Sequence, residues 1–129
     1  MAPDTETRIT AVQNENATLW SLPETLREFV ETGDQEMVTE ILTLFQDDSA
    51  ERLQLLNQSL SEGNRDAVRK QAHALKGASS QVGAQQMSEL CREMEVRANG
   101  APQSDLLDLA WRICDCYDRT CRVIFENRG

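Results

Sequence analysis

Four long stretches of this chain repeat apolar residues every third or fourth position, and the first three end at glycine, proline or both. A period near 3.6 is that of helices with one buried face. Few β-branched runs occur, so there is no signal for strands. Ser21-Leu22-Pro23-Glu24 reads as a helix start, with Ser21 as cap and proline in the first turn, and a short helix follows to about Glu31. Thr32-Gly33-Asp34 breaks it. A long helix runs from about Gln35 to Ser61, capped by Asp34. Its stripe is Val38, Ile41, Phe45, Leu56 and Leu60, widened by Leu42, Leu44, Leu53 and Leu55. Asp48 and Arg52 interrupt that stripe and are expected at its edge.

Glu62-Gly63-Asn64 is a tight connection, with glycine suited to the left-handed C-terminal position and Asn64 to the next cap. The next helix spans about Arg65 to Val82, stopped by Gly83. Another runs from about Ala84 to Ala98 with Met87, Leu90, Cys91 and Met94 inward. Asn99-Gly100-Ala101-Pro102 ends it. The last helix covers about Ser104 to Glu126, with Leu106, Leu109, Ile113, Tyr117, Thr120 and Ile124 as its seam. Short connections make neighbouring helices antiparallel. The expected fold is all-α: an up-down-up-down four-helix bundle with a short extra N-terminal helix. Residues 1–18 are polar and are expected to form a flexible tail, with residues 19–129 as the bundle domain.

The sole histidine, His73, lies in the third long-range feature, the helix from Arg65 to Val82. With Val68 as the centre of the buried face and about 100° per residue, Ala72, Leu75, Ser79 and Val82 fall within about 40° of it. On the same wheel His73 lies about 140° away, Arg69 about 100°, Gly77 about 180° and Ser80 about 120°. His73 therefore shares an exposed strip with Arg69, Gly77 and Ser80, with Lys76 at its border. A glycine inside a helix costs about 1 kcal/mol relative to alanine. Gly77, one turn after His73, leaves the imidazole open to close approach. Lys76 is its neighbour at i+3 and supplies an ammonium able to neutralise a phosphoryl group.

The run His73-x-Leu75-Lys76-Gly77-x-Ser79-x-x-x-Gly83-Ala84 resembles the signature of histidine phosphotransfer (HPt) domains, the intermediates of multistep phosphorelays. The resemblance extends from about Leu22 to Asn99 and includes Leu44-Phe45-x-x-Asp48 and Leu90-Cys91-Arg92-x-Met94-Glu95. It implies the same helical bundle. It also implies His73 as phosphoacceptor, Lys76 as phosphoryl-stabilising residue and Gly77 as the residue that keeps access open. Receiver docking is expected over Arg69, Ala74, Ser80 and Gln81, with Gln85 as a possible auxiliary. The family phosphorylates Nε2, but the sequence alone leaves the nitrogen open. Some members carry a glutamine at the position of Glu95, on the facing helix, where it orients the ring. A carboxylate there repels a phosphoryl group, so Glu95 is not expected to touch one.

The implied partners are response-regulator receiver domains or a hybrid sensor histidine kinase. The Mg²⁺ for transfer would come from the receiver, with no cofactor held by this chain. No ATP-binding motif is present, so the implied role is a stoichiometric carrier rather than an enzyme with its own turnover. Two other readings share the sequence: an adaptor bundle that binds a kinase or receiver without accepting phosphate, and an HPt module cut from a hybrid kinase.

Charge narrows the partners. The net charge of −9 disfavours nucleic acid, which needs a basic surface, and anionic membranes for the same reason. Yet from Arg65 to Lys76 four cations (Arg65, Arg69, Lys70, Lys76) face one anion, Asp66, which suits an acidic receiver pocket. No apolar run is long enough to span a membrane and no secretory signal precedes the bundle, so a cytoplasmic location is expected, and a carrier visited by two partners is most simply a monomer. Metal binding at His73 is not expected: there is no second histidine, and no carboxylate or cysteine lies three or four residues away. The four cysteines (Cys91, Cys114, Cys116, Cys121) form no Cys-x-x-Cys pair and read as reduced thiols, some of them in the core.

Overall fold

In a computed structural model the chain is described over residues 19–126. The tail expected over residues 1–18 and the last three residues lie outside the described part. Among the described residues there are five helices and no strand: α1 (Glu24–Glu31), α2 (Gln35–Ser61), α3 (Arg65–Val82), α4 (Gln85–Arg97) and α5 (Gln103–Glu126). Packing runs α2 on α3, α3 on α4, α4 on α5 and α5 back on α2, while α1 lies against α2. Loops of a few residues reverse the chain each time, which gives the antiparallel up-down-up-down bundle.

Caps and glycines set the corners. Asp34 accepts from the Met37 amide at 3.3 Å and Asn64 from the Ala67 amide at 3.1 Å. At the lower end the Arg65 guanidinium donates to the carbonyls of Ala98 and Ala101 at 2.9 and 2.8 Å, which ties the α4–α5 loop to the start of α3. The core interleaves Leu42, Leu56 and Leu60 from α2, Val68 and Leu75 from α3, Met87 and Met94 from α4, and Leu106, Leu109, Ile113 and Ile124 from α5, all almost fully buried. Each such side chain contributes about 1.5–3 kcal/mol by leaving water.

Three sequence expectations are corrected by the packing. Leu44 and Leu55 do not widen the buried stripe of α2 but are 67% and 41% exposed. Helix α2 has inward neighbours on only part of its circumference, and these two residues lie beyond it. On α5 the seam takes in Ala110, Cys116 and Cys121, while Tyr117 is half-buried and donates its hydroxyl to the Gln46 carbonyl at 2.6 Å. Ser21 is not the cap of α1, which begins after Pro23 with no side-chain cap bond. Instead the Ser21 amide donates to the Gly83 carbonyl at 3.1 Å, and the Trp20 indole donates to the Val82 carbonyl at 2.9 Å. The segment before α1 is thus strapped over the α3–α4 corner. Asp48 and Arg52 do sit at the stripe's edge, paired at 2.9 Å.

Burial pushes the Cys91 thiol up to about 12 and raises Cys116 and Cys121 as well, so these are inert apolar fillers. No helix among the described residues is long and apolar enough to cross a membrane.

Gly83 carries two demands at once. Its φ is +84°, and a Cβ there would overlap the Ser21 carbonyl oxygen. The left-handed conformation alone costs a side-chain-bearing residue about 1–3 kcal/mol. Gly83→Ala is therefore expected to lower stability by at least that amount in urea unfolding, and an unchanged midpoint would contradict this account of the corner.

Candidate functional site

The α3–α4 corner fixes what faces His73. Both helices rise equally per residue, so equal steps either side of Gly83–Ala84 stand level. Ten steps back from Gly83 is His73, and ten steps on from Ala84 is Met94, whose neighbour is Glu95. Met94 points into the core, and Glu95 points along the α3 edge of α4.

There Glu95 makes two short contacts. One carboxylate oxygen lies 2.7 Å from His73 Nδ1 and the other accepts from Lys76 Nζ at 2.7 Å. The Glu95 side chain is 20% exposed and that of His73 66% exposed. The Lys76 ammonium, and next the His73 ring, hold the Glu95 carboxyl below the usual carboxylate range, against a partial opposing effect of burial. Glu95 thus stays a carboxylate, which only accepts, so the proton of the neutral imidazole is on Nδ1. The bare lone pair is then on Nε2, the nitrogen Glu95 leaves free.

The ring is also open on its outer side. A Cβ at Gly77 would meet nothing within 4 Å, so no neighbour in the fold demands glycine there. The Ser88 hydroxyl donates to the Lys76 carbonyl at 3.2 Å, which pins α4 against this turn of α3.

The other expected residues are spread around the ring. Arg69 is on the outer strip, but its guanidinium pairs with Asp66 at 3.0 Å, and Lys70 pairs with the same carboxylate at 3.1 Å. Arg69 foremost, then Lys70, hold the Asp66 carboxyl below its ordinary range. The basic run is therefore partly neutralised within its own helix. Ala74 is half-buried, while Ser80 and Gln81 are exposed. Gln81 lines an apolar groove of about 420 Å³ between α2 and α3, with Ile41, Leu44, Phe45 and Ala78 among its walls. Ser80 lines a different, polar cleft with Gln85, Ser88 and the Ser21–Glu24 segment. The Gln85 amide bonds Glu89 at 3.5 Å.

The sequence reading set Glu95 on the facing helix, where some family members carry a ring-orienting glutamine, but gave the carboxylate itself no role. The step count about Gly83 places it level with His73, and that count needs the corner geometry to be used. Among the described residues no group of three His, Cys, Asp or Glu side chains is placed to hold a metal ion.

A family model described as the Hpt domain matches residues 40–122. The crystal structure of histidine-containing phosphotransfer protein B (HptB) from Pseudomonas aeruginosa PAO1 is similar, with a TM-score of 0.70 and 29% sequence identity. The match covers 83% of this chain and 92% of that one. No match was found among curated proteins.

Nitrogen-15 NMR is expected to show His73 mainly as the Nδ1–H tautomer, shifting toward the Nε2–H form of free histidine in Glu95→Ala. Because the Glu95 pKa is depressed, its contribution is complete above the ordinary value of 4.5 and is lost as pH falls through the lower folded value. A Glu95 carboxyl titrating at or above the ordinary glutamate range would contradict the pairing.

Proposed function

The chain belongs to the Hpt domain family, the histidine phosphotransfer modules of phosphorelays, and from that premise we propose that His73 is its phosphoacceptor, taking the group from a receiver-domain aspartate and passing it to another receiver. The observation that carries this reading is the exposed imidazole with Nδ1 held by Glu95 and, among the described residues, no partner at Nε2.

The step is a displacement at phosphorus. The Nε2 lone pair forms the N–P bond as the bond from phosphorus to the receiver's aspartate oxygen breaks, and the aspartate leaves as a carboxylate. The proton stays on Nδ1, so the product ring is a phosphorylated imidazolium. Its positive charge faces Glu95, which stabilises it. Transfer to the next receiver reverses the same bonds. Such transfers depend mostly on positioning and charge. An ammonium has three N–H donors. Lys76 spends one on Glu95, and the others can meet the phosphoryl oxygens from α3.

Mg²⁺ belongs to the receiver in this scheme. Among the described residues the carboxylate beside His73 is that of Glu95, committed to Lys76 and the ring, so the site offers poor ligands for a hard cation. The protein acts as a stoichiometric carrier, and His73, Lys76 and Glu95 come from one chain, so a monomer suffices. Docking covers both sides of the ring: Ala74, Gln81 and the α2–α3 groove on one, Arg69 and Ser80 on the other. Leu44, exposed at the groove, adds apolar contact.

The test is phosphotransfer from a panel of receiver domains charged with a small-molecule phosphodonor. Acid-labile, base-stable label is expected on wild type and none on His73→Gln. Folded wild type that takes no label from any receiver would sink the carrier reading in favour of an adaptor, and label on His73→Gln would reassign the acceptor.

Gly77→Ala separates access from stability. Alanine in an open helix interior is expected to raise stability by about 1 kcal/mol. The same change is expected to slow transfer about tenfold by placing a methyl where the receiver must close on the ring. Unchanged transfer kinetics would remove Gly77 from the site.

A further inference from the structure

We propose that Arg92 is a second cation for the phosphoryl group on His73, approaching from α4 as Lys76 does from α3. The inference rests on His73 as acceptor.

Two contacts fix which edge of α4 faces α3: Ser88 to the Lys76 carbonyl, and Glu95 to His73 and Lys76. Arg92 lies four residues after Ser88 and three before Glu95, so it belongs to the same strip of the helix surface. At about 100° per residue it is turned about 40–60° further toward solvent than those two. It therefore stands at the outer lip of the α3–α4 seam, beside the turn that carries Lys76 and Gly77. The space over Gly77 is open. Helices pack about 8–10 Å apart, a gap that the long arginine side chain can largely span.

Its lack of a partner sets it apart. On α3 and α4 the other five cations are engaged: Arg65 with two carbonyls, Arg69 and Lys70 with Asp66, Lys76 with Glu95, and Arg97 with Glu93 and Asp105. Arg92 is exposed and has no hydrogen-bond or ion-pair partner among the described residues.

Charge at the site gives it a purpose. Lys76 and Glu95 cancel, a phosphoryl group brings about −1.5 to −2 near neutral pH, and the imidazolium returns one positive charge. About −0.5 to −1 is then left without a counter-charge. A guanidinium presents a planar fork that fits two phosphoryl oxygens at once, which an ammonium cannot do. Before phosphorylation Arg92 has no partner among the described residues, consistent with its exposure.

The test uses phosphoramidate to phosphorylate His73 without any receiver, followed by a phosphorus-31 pH titration of wild type, Arg92→Ala and Arg92→Lys. A nearby cation lowers the pH at which the phosphorylated imidazolium gives up its ring proton, which the phosphorus signal follows, so Arg92→Ala is expected to raise that midpoint by about half a pH unit, with Arg92→Lys in between. Transfer from a charged receiver is expected to slow about tenfold in Arg92→Ala. Identical phosphorus midpoints in wild type and Arg92→Ala would overturn the proposal. Slower receiver transfer with unchanged midpoints would also overturn it, since Arg92 would then serve the receiver and not the phosphoryl group. If wild type accepts no phosphoryl group from either donor, the reading of His73 falls as well, whereas a labelled wild type with equal midpoints removes Arg92 alone.

Discussion

Glycine at position 83 lets α3 turn sharply into α4, and the site depends on that corner. Its left-handed backbone reverses the chain within two residues, and the missing side chain admits the Ser21 carbonyl that straps the corner from outside. A tight reversal leaves little slack in register. The core contacts of Leu75, Met87, Cys91 and Met94 then lock the two helices face to face. With the register set, Glu95 stands beside His73 without any side chain having to search for it.

Glu95 then organises the chemistry from one partly desolvated carboxylate. Two cations or potential cations share its two oxygens, and the pairing keeps it ionised. An ionised acceptor dictates the tautomer, and the tautomer decides which nitrogen is nucleophilic. In the proposed mechanism the same carboxylate offsets the imidazolium charge after transfer. A neutral amide in its place would orient the ring but carry no compensating charge.

Much of the exposed surface near the ring makes sense only against function. Gly77 is open and unstrained, so the fold alone would favour alanine there. Leu44 is an apolar side chain left in water on the helix next to the ring, beside a groove lined by Ala78 and Gln81. Both features weaken or expose the isolated chain and suit a surface on which another protein closes. The strongly basic look of α3 in one dimension is softened in three, since Asp66 binds two of its cations.

The helices, their caps at Asp34 and Asn64, and the outward placement of His73 were legible because each follows from local spacing: a helix repeats every 3.6 residues whatever surrounds it. The burial of Leu44 and the capping role of Ser21 were misread for the converse reason. Whether an apolar residue at a stripe's margin is covered depends on where neighbouring helices stop, and whether a serine caps depends on what else its backbone can bond. The sequence by itself determined an all-α bundle with one open histidine beside a lysine and a glycine, because these are matters of period and residue type. Tertiary structure alone decided that Glu95 holds Nδ1, that Lys76 is shared, and that Arg92 has no ion-pair partner among the described residues. Those facts join residues some twenty positions apart, and only the register of two packed helices brings them within reach.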